Sequence, residues 1–150
     1  CKIGIMPGHI HLPADEAGEV GEIVRSRGLD LIQLISPMTP QDRAVKILQS
    51  ASGFVYCISV AGTTGVRDSL PEELTEQLKW LRTQTDLPLA VGFGISRPDQ
   101  VDALRGSADG VIVGSAIVRA LENSKAGTDT ILAQVGELAG AMVRATRGSV

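Results

Sequence analysis

Two stretches of this chain carry the residue types that could hold an anion. Ala90-Val91-Gly92-Phe93-Gly94-Ile95-Ser96 is followed about twenty residues later by Asp109-Gly110-Val111-Ile112-Val113-Gly114-Ser115-Ala116. Each is an apolar run that ends in glycine and a small hydroxyl residue before a helical pattern opens. Glycine leaves backbone N–H groups uncovered, and a helix start adds the positive end of the peptide dipole. Two such endings side by side, at Gly94 and at Gly114-Ser115, make a site for a phosphate group. In (β/α)8 barrels this arrangement recurs after the seventh and eighth strands.

Other residues with chemical potential are few. The loop Ala61-Gly62-Thr63-Thr64-Gly65-Val66-Arg67-Asp68 is rich in glycine and threonine and follows a strand-like run, where barrel chemistry usually sits. His9 and His11 would share one face of an extended segment, but no third ligand is near in sequence, so no metal site is expected. Cys1 and Cys57 are the only cysteines. They are too few for a disulfide framework, and Cys57 lies within an apolar strand, which suits a buried, inert thiol. Glu72, Glu73 and Asp99 stand at helix starts, where carboxylates serve the dipole. No residue is assigned as catalytic.

The elements that must position these groups alternate between short apolar runs and longer helical stripes, the pattern of βα units around a parallel sheet. Strands are expected at Lys2 to Met6, Leu29 to Ile35, Gly53 to Val60, Leu87 to Phe93 and Gly110 to Val113. Helices are expected over Ala14 to Arg27, from Pro40 with Thr39 as N-cap, from a Ser69-Leu70-Pro71-Glu72 capping box, after Ser96-Arg97-Pro98-Asp99 with Ser96 as cap, and from Ser115. Leu74, Leu78 and Leu81 give one helix an inward stripe. A long amphipathic helix occupies residues 128–150, and residues 1–12 are an atypical start. The fold class expected is α/β, an incomplete (β/α)8 barrel of four to five βα units in a single domain over residues 1–150. A closed barrel of this type takes eight strands and about 250 residues.

With 150 residues, 43% hydrophobic and 21% charged, the chain can bury a real core. A net charge of −3 argues against nucleic acid or an anionic membrane as the main partner. No run is apolar enough to span a bilayer and no signal-peptide layout opens the chain, so a cytoplasmic location is expected. The start at Cys1, without methionine, reads as a piece of something longer.

From about Pro13 to Leu121 the chain resembles the C-terminal portion of the tryptophan synthase alpha subunit. The likeness rests on Leu31-Ile32-Gln33-Leu34-Ile35-Ser36-Pro37-Met38-Thr39-Pro40, Gly53-Phe54-Val55-Tyr56, Gly62-Thr63-Thr64-Gly65, Gly92-Phe93-Gly94-Ile95-Ser96 and Gly114-Ser115-Ala116-Ile117-Val118, in that order. The resemblance implies a lyase that splits indole-3-glycerol phosphate into indole and glyceraldehyde 3-phosphate and passes the indole to a beta subunit. Pyridoxal phosphate belongs to that partner, so this chain needs no cofactor. It further implies that Gly65, Gly94, Gly114 and Ser115 hold the phosphate, that Tyr56 and Phe93 line the indole pocket, and that Thr64 belongs to a mobile loop that closes it.

The family's two catalytic carboxylates, on and after the second strand of its barrel, have no counterpart in this chain. Two alternatives therefore stand beside the enzyme portion: a non-catalytic partial barrel that binds phosphate compounds, and another phosphate-binding barrel enzyme. An incomplete barrel leaves sheet edges open, which self-association would cover.

Overall fold

In a computed structural model, the described residues are 4–5, 17–59, 71–92, 94–122 and 127–147. Their elements run β1 (Gly4–Ile5), α1 (Ala17–Ser26), β2 (Asp30–Leu31), β3 (Gln33–Ile35), α2 (Gln41–Ser50), β4 (Val55–Ile58), α3 (Glu72–Arg82), β5 (Leu89–Gly92), α4 (Pro98–Ala103), β6 (Gly110–Val111), α5 (Ser115–Glu122) and α6 (Thr128–Arg147). All strand pairs are parallel: β1 pairs with β2, and β3-β4-β5-β6 form a four-stranded sheet in chain order. A doubly wound sheet reverses its strand order at a switch point, whereas this order never reverses, as in a sector of a (β/α)8 barrel. None of the described helices is long and apolar enough to cross a membrane.

The expected strand over Leu29 to Ile35 is broken at Ile32. Leu31 is bonded sideways to Ser52, its N–H donating to Ser52 Oγ at 2.8 Å and its carbonyl accepting from Ser52 N at 2.9 Å, so the ladder with β4 begins only at Gln33. Gly53 makes this approach possible: its φ is +75°, and a Cβ there would lie 2.9 Å from Asp30 Cβ and Ile32 Cδ1.

Three expected caps are corrected. Thr39 does not cap α2: its Oγ1 accepts from Ser36 N at 3.1 Å, closing the turn after β3, and Pro40 takes the cap position with its carbonyl accepting from Ala44 N at 2.8 Å. Pro71 holds the cap position of α3 without a side-chain bond; Ser69 lies outside the described residues. Arg97, rather than Ser96, is the cap residue of α4, because Pro98 at the first helical position forces the residue before it into the extended region, here φ −133° and ψ 148°. Gln100 Oε1 then accepts from both Ser96 N at 2.9 Å and Arg97 N at 3.1 Å.

The core lies between the sheet and its helices. Ile35, Cys57 and Val91, paired in one row across three strands, are each 0% exposed. They pack with Ala44 and Leu48 of α2 and with Leu74, Leu78 and Leu81 of α3, the stripe expected from spacing. Because strand side chains alternate, Leu34, Tyr56, Ile58, Ala90 and Gly92 face the other way, into what would be the barrel interior. Leu34, Ile58 and Ala90 are only half-buried.

At the opposite, N-terminal end of the strands, Asp109 Oδ2 accepts from Leu89 N at 2.7 Å and from Arg82 Nη2 at 2.5 Å. It ties the end of α3 to the start of β5. The Arg82 hydrogen bond, and then the Leu89 N–H, hold the Asp109 carboxyl below the usual range.

Candidate functional site

Pairing of β5 with β6 brings the two glycine endings together. Ala90 stands opposite Gly110 and Val91 opposite Val111, and Ile112 N donates to Val91 O at 2.8 Å. The chain therefore leaves both strands at the same end of the sheet, on neighbouring tracks. Gly94 follows on one track, exposed and with φ +86°, a left-handed conformation that favours glycine. Gly114 and Ser115 follow on the other, both exposed, and open α5. Gly114 O accepts from Ile117 N at 2.9 Å and Val118 N at 3.1 Å, which fixes the first turn of that helix. Among the described residues, nothing lies within 4 Å of a Cβ placed on Gly114. An open rim of backbone N–H groups beside a helix start is suited to an anion.

Tyr56 comes from β4 and is 7% exposed. Its position is set by Gly92 on the adjacent strand: a Cβ there would overlap the Tyr56 hydroxyl and ring and touch Ile112 Cβ at 3.0 Å. Tyr56 is paired directly with Ala90, so its ring leans along the strand to the diagonal position, toward the glycine rim. Sequence reading identified Tyr56 but missed Gly92 as its seat; the signal available was a glycine inside a strand, which often marks a close approach. Ser59, the residue after β4, was also missed. It is buried, and its N–H donates to Gly92 O at 2.9 Å.

A second anchor missed by sequence reading is Gln77 of α3. Its Nε2 donates to Ser36 O at 2.5 Å, fixing the turn after β3 at the same end of the sheet. Nothing in its spacing marks it, since only the tertiary arrangement brings α3 to that turn.

Thr64, Gly65, Phe93, Arg67, His9 and His11 lie outside the described residues. Among the described residues no group of histidine, cysteine and carboxylate side chains could hold a metal ion. Cys57 faces the helices, and burial pushes its thiol up to about 12, against the opposing charge of Arg82. A thiol so placed is neither nucleophile nor ligand at neutral pH. Glu72, Glu73 and Asp99 do stand in first helical turns. Asp99 is engaged by Arg97, with Nη2 to Oδ2 at 2.9 Å, and this hydrogen bond keeps its carboxyl low.

Comparison with known proteins places this geometry in context. Residues 9–147 match the sequence profile of the tryptophan synthase alpha chain. The chain is 48% identical over 112 residues to the tryptophan synthase alpha chain of Carboxydothermus hydrogenoformans, covering 75% of this chain and 42% of that one. It is 36% identical over 138 residues to that of Opitutus terrae, covering 92% and 52%. Among solved structures it is similar to one from Pyrococcus furiosus described as the basis of mutual activation of the tryptophan synthase α2β2 complex, with TM-score 0.76, 36% identity and coverage of 92% and 56%. It is also similar to the alpha subunit of Legionella pneumophila, with TM-score 0.73, 34% identity and coverage of 97% and 52%. The chain thus spans about half the length of the curated relatives it matches.

Proposed function

Since this chain belongs to the tryptophan synthase alpha chain family, we propose that it supplies the phosphate-anchoring part of a lyase of tryptophan biosynthesis. The reaction is cleavage of indole-3-glycerol phosphate to indole and glyceraldehyde 3-phosphate. The observation that carries this reading is the open pair of glycine endings on neighbouring strands, Gly94 on one and Gly114 with Ser115 on the other. Their backbone N–H groups take the phosphate, and the start of α5 adds favourable dipole charge. Gly65 adds to the anchor, and Thr64 belongs to the loop that closes over it. Tyr56, seated on Gly92, and Phe93 offer the aromatic surface against which the indole ring packs.

The acids that move protons belong to the half of the family's barrel that this chain does not contain, so no proton-transfer step is assigned to its residues. In the assembled enzyme the indole passes to a beta subunit, which holds the pyridoxal phosphate, and the assembly works in the cytoplasm. The second reading, a non-catalytic phosphate binder, draws on one specific point: Asp99, an acid near the rim, is already tied to Arg97.

The test uses the purified chain with indole-3-glycerol phosphate and with glycerol 3-phosphate. Binding of both without release of indole is expected. Release of indole by the chain alone would overturn the division of labour, and failure to bind either compound would overturn the anchoring role.

A further inference from the structure

The two glycine turns of the rim are held by different means. Ser115 is the first residue of α5, and Gly114 O accepts from Ile117 N and Val118 N, so the helix itself fixes that turn. Gly94 stands three residues before Arg97, the cap residue of α4, and so lies outside the helix that follows it. Glycine loses more conformational freedom on ordering than any other residue. A ligand that needs this turn in one shape binds weakly unless something else holds it there.

Three contacts bracket Gly94. Before it, Gly92 O accepts from Ser59 N at 2.9 Å and fixes the end of β5. After it, Ile95 is buried in the same core cluster as Val101 of α4. Then Ser96 N and Arg97 N both donate to one atom, Gln100 Oε1, at 2.9 Å and 3.1 Å. Gln100 is half-buried and is the third residue of α4.

The bond to Arg97 N is the ordinary service of a glutamine at this position, which reaches back to the N–H of the cap residue. The bond to Ser96 N is not, because Ser96 precedes the cap and belongs to the loop. It ties the Gly94 turn to a helix that Val101 seats in the core. It also takes up, with its companion, two N–H groups that would otherwise offer an anion a competing place at the start of α4.

We propose that Gln100 is a positioning residue for the phosphate rim, holding the Gly94 turn in the shape that presents its backbone to the phosphate. The inference rests on the anchoring role proposed above and adds a residue that acts through the loop without touching the ligand.

NMR titration of the whole chain with glycerol 3-phosphate tests it. Gln100→Ala should weaken binding by about tenfold, because the turn must then be ordered at the expense of affinity. Gln100→Glu keeps an oxygen acceptor at the same reach and should bind within about threefold of the unaltered chain. Leu78→Ala, in the core of α3, should lower the thermal midpoint further than Gln100→Ala yet leave the affinity of the folded chain unchanged, which separates positioning from stability. Amide exchange tests the clamp with no substitution at all: the Ser96 and Arg97 amides should exchange slowly in the unaltered chain. Unchanged or tighter binding by Gln100→Ala overturns the proposal and leaves the anchoring role standing. So does a failure of Gln100→Glu to restore binding, an equal loss in Leu78→Ala, or fast exchange at Ser96 and Arg97. An unaltered chain that does not bind glycerol 3-phosphate overturns both.

Discussion

The sheet has two faces, and they differ in how completely they are packed. Toward the helices, Ile35, Cys57 and Val91 form an unbroken row, each 0% exposed, closed off by Leu74, Leu78 and Leu81 at 0%, 1% and 0%. On the other face Leu34, Ile58, Ala90 and Ile112 are only half-buried, and the large side chain buried there among the described residues, Tyr56, rests on a glycine. The helix face is closely packed, and the inner face is the one on which the proposed phosphate rim lies.

Truncating each face breaks or sharpens that contrast. Leu78→Ala removes a side chain 1% exposed and should cost about 3 kcal/mol, read as a lower denaturant midpoint, whereas Ile112→Ala on the half-buried face should cost about 1 kcal/mol or less. Equal losses would mean that the two faces contribute alike. Gly92→Ala should come next, at about 1–3 kcal/mol, because its methyl group displaces the Tyr56 ring. Tyr56→Ala in the same chain should recover much of that loss; additive losses would place the ring elsewhere.

Acid and alkali probe two further points of the helix-packed structure, with smaller effects. Asp109 has its carboxyl lowered by Arg82 and Leu89 N–H, so its contribution is present above the unfolded carboxylate range and is lost as pH falls through its lowered value. Asp109→Asn should therefore flatten the stability loss on the acid side, which urea titrations at a series of pH values would measure. Cys57 behaves in the opposite sense. Its thiol is raised from 9.0 to about 12, so its contribution is full below 9.0 and declines as pH rises toward 12. Cys57→Val should reduce the decline in stability over that alkaline window.

Much of the helix side was legible in the sequence. The Leu74, Leu78 and Leu81 spacing and the run from Val55 to Ile58 declare their burial through periodicity alone, and the glycine endings declare the rim. Local chemistry was less legible where two partners compete for one group. Thr39 has the residue type of a cap, but its hydroxyl is taken by Ser36 N. Ser96 has it too, but Pro98 dictates the backbone before it and hands the position to Arg97. The break at Ile32 and the hold of Gln77 on Ser36 depend on residues 20 or more apart, as with Leu31 and Ser52 at a separation of 21 and Gln77 and Ser36 at 41, which no local pattern encodes.

The central claim, that the rim of Gly94, Gly114 and Ser115 anchors a phosphate, is tested most directly by titration calorimetry with glycerol 3-phosphate. Three chains serve: the unaltered one, Gly94→Val, and Gly106→Val, which bears a comparable backbone strain at φ +80° but precedes β6, away from the rim. Saturable binding to the unaltered chain, lost by about tenfold or more in Gly94→Val and retained in Gly106→Val, is the expected result. Equal binding by all three chains, or binding by none, would contradict it.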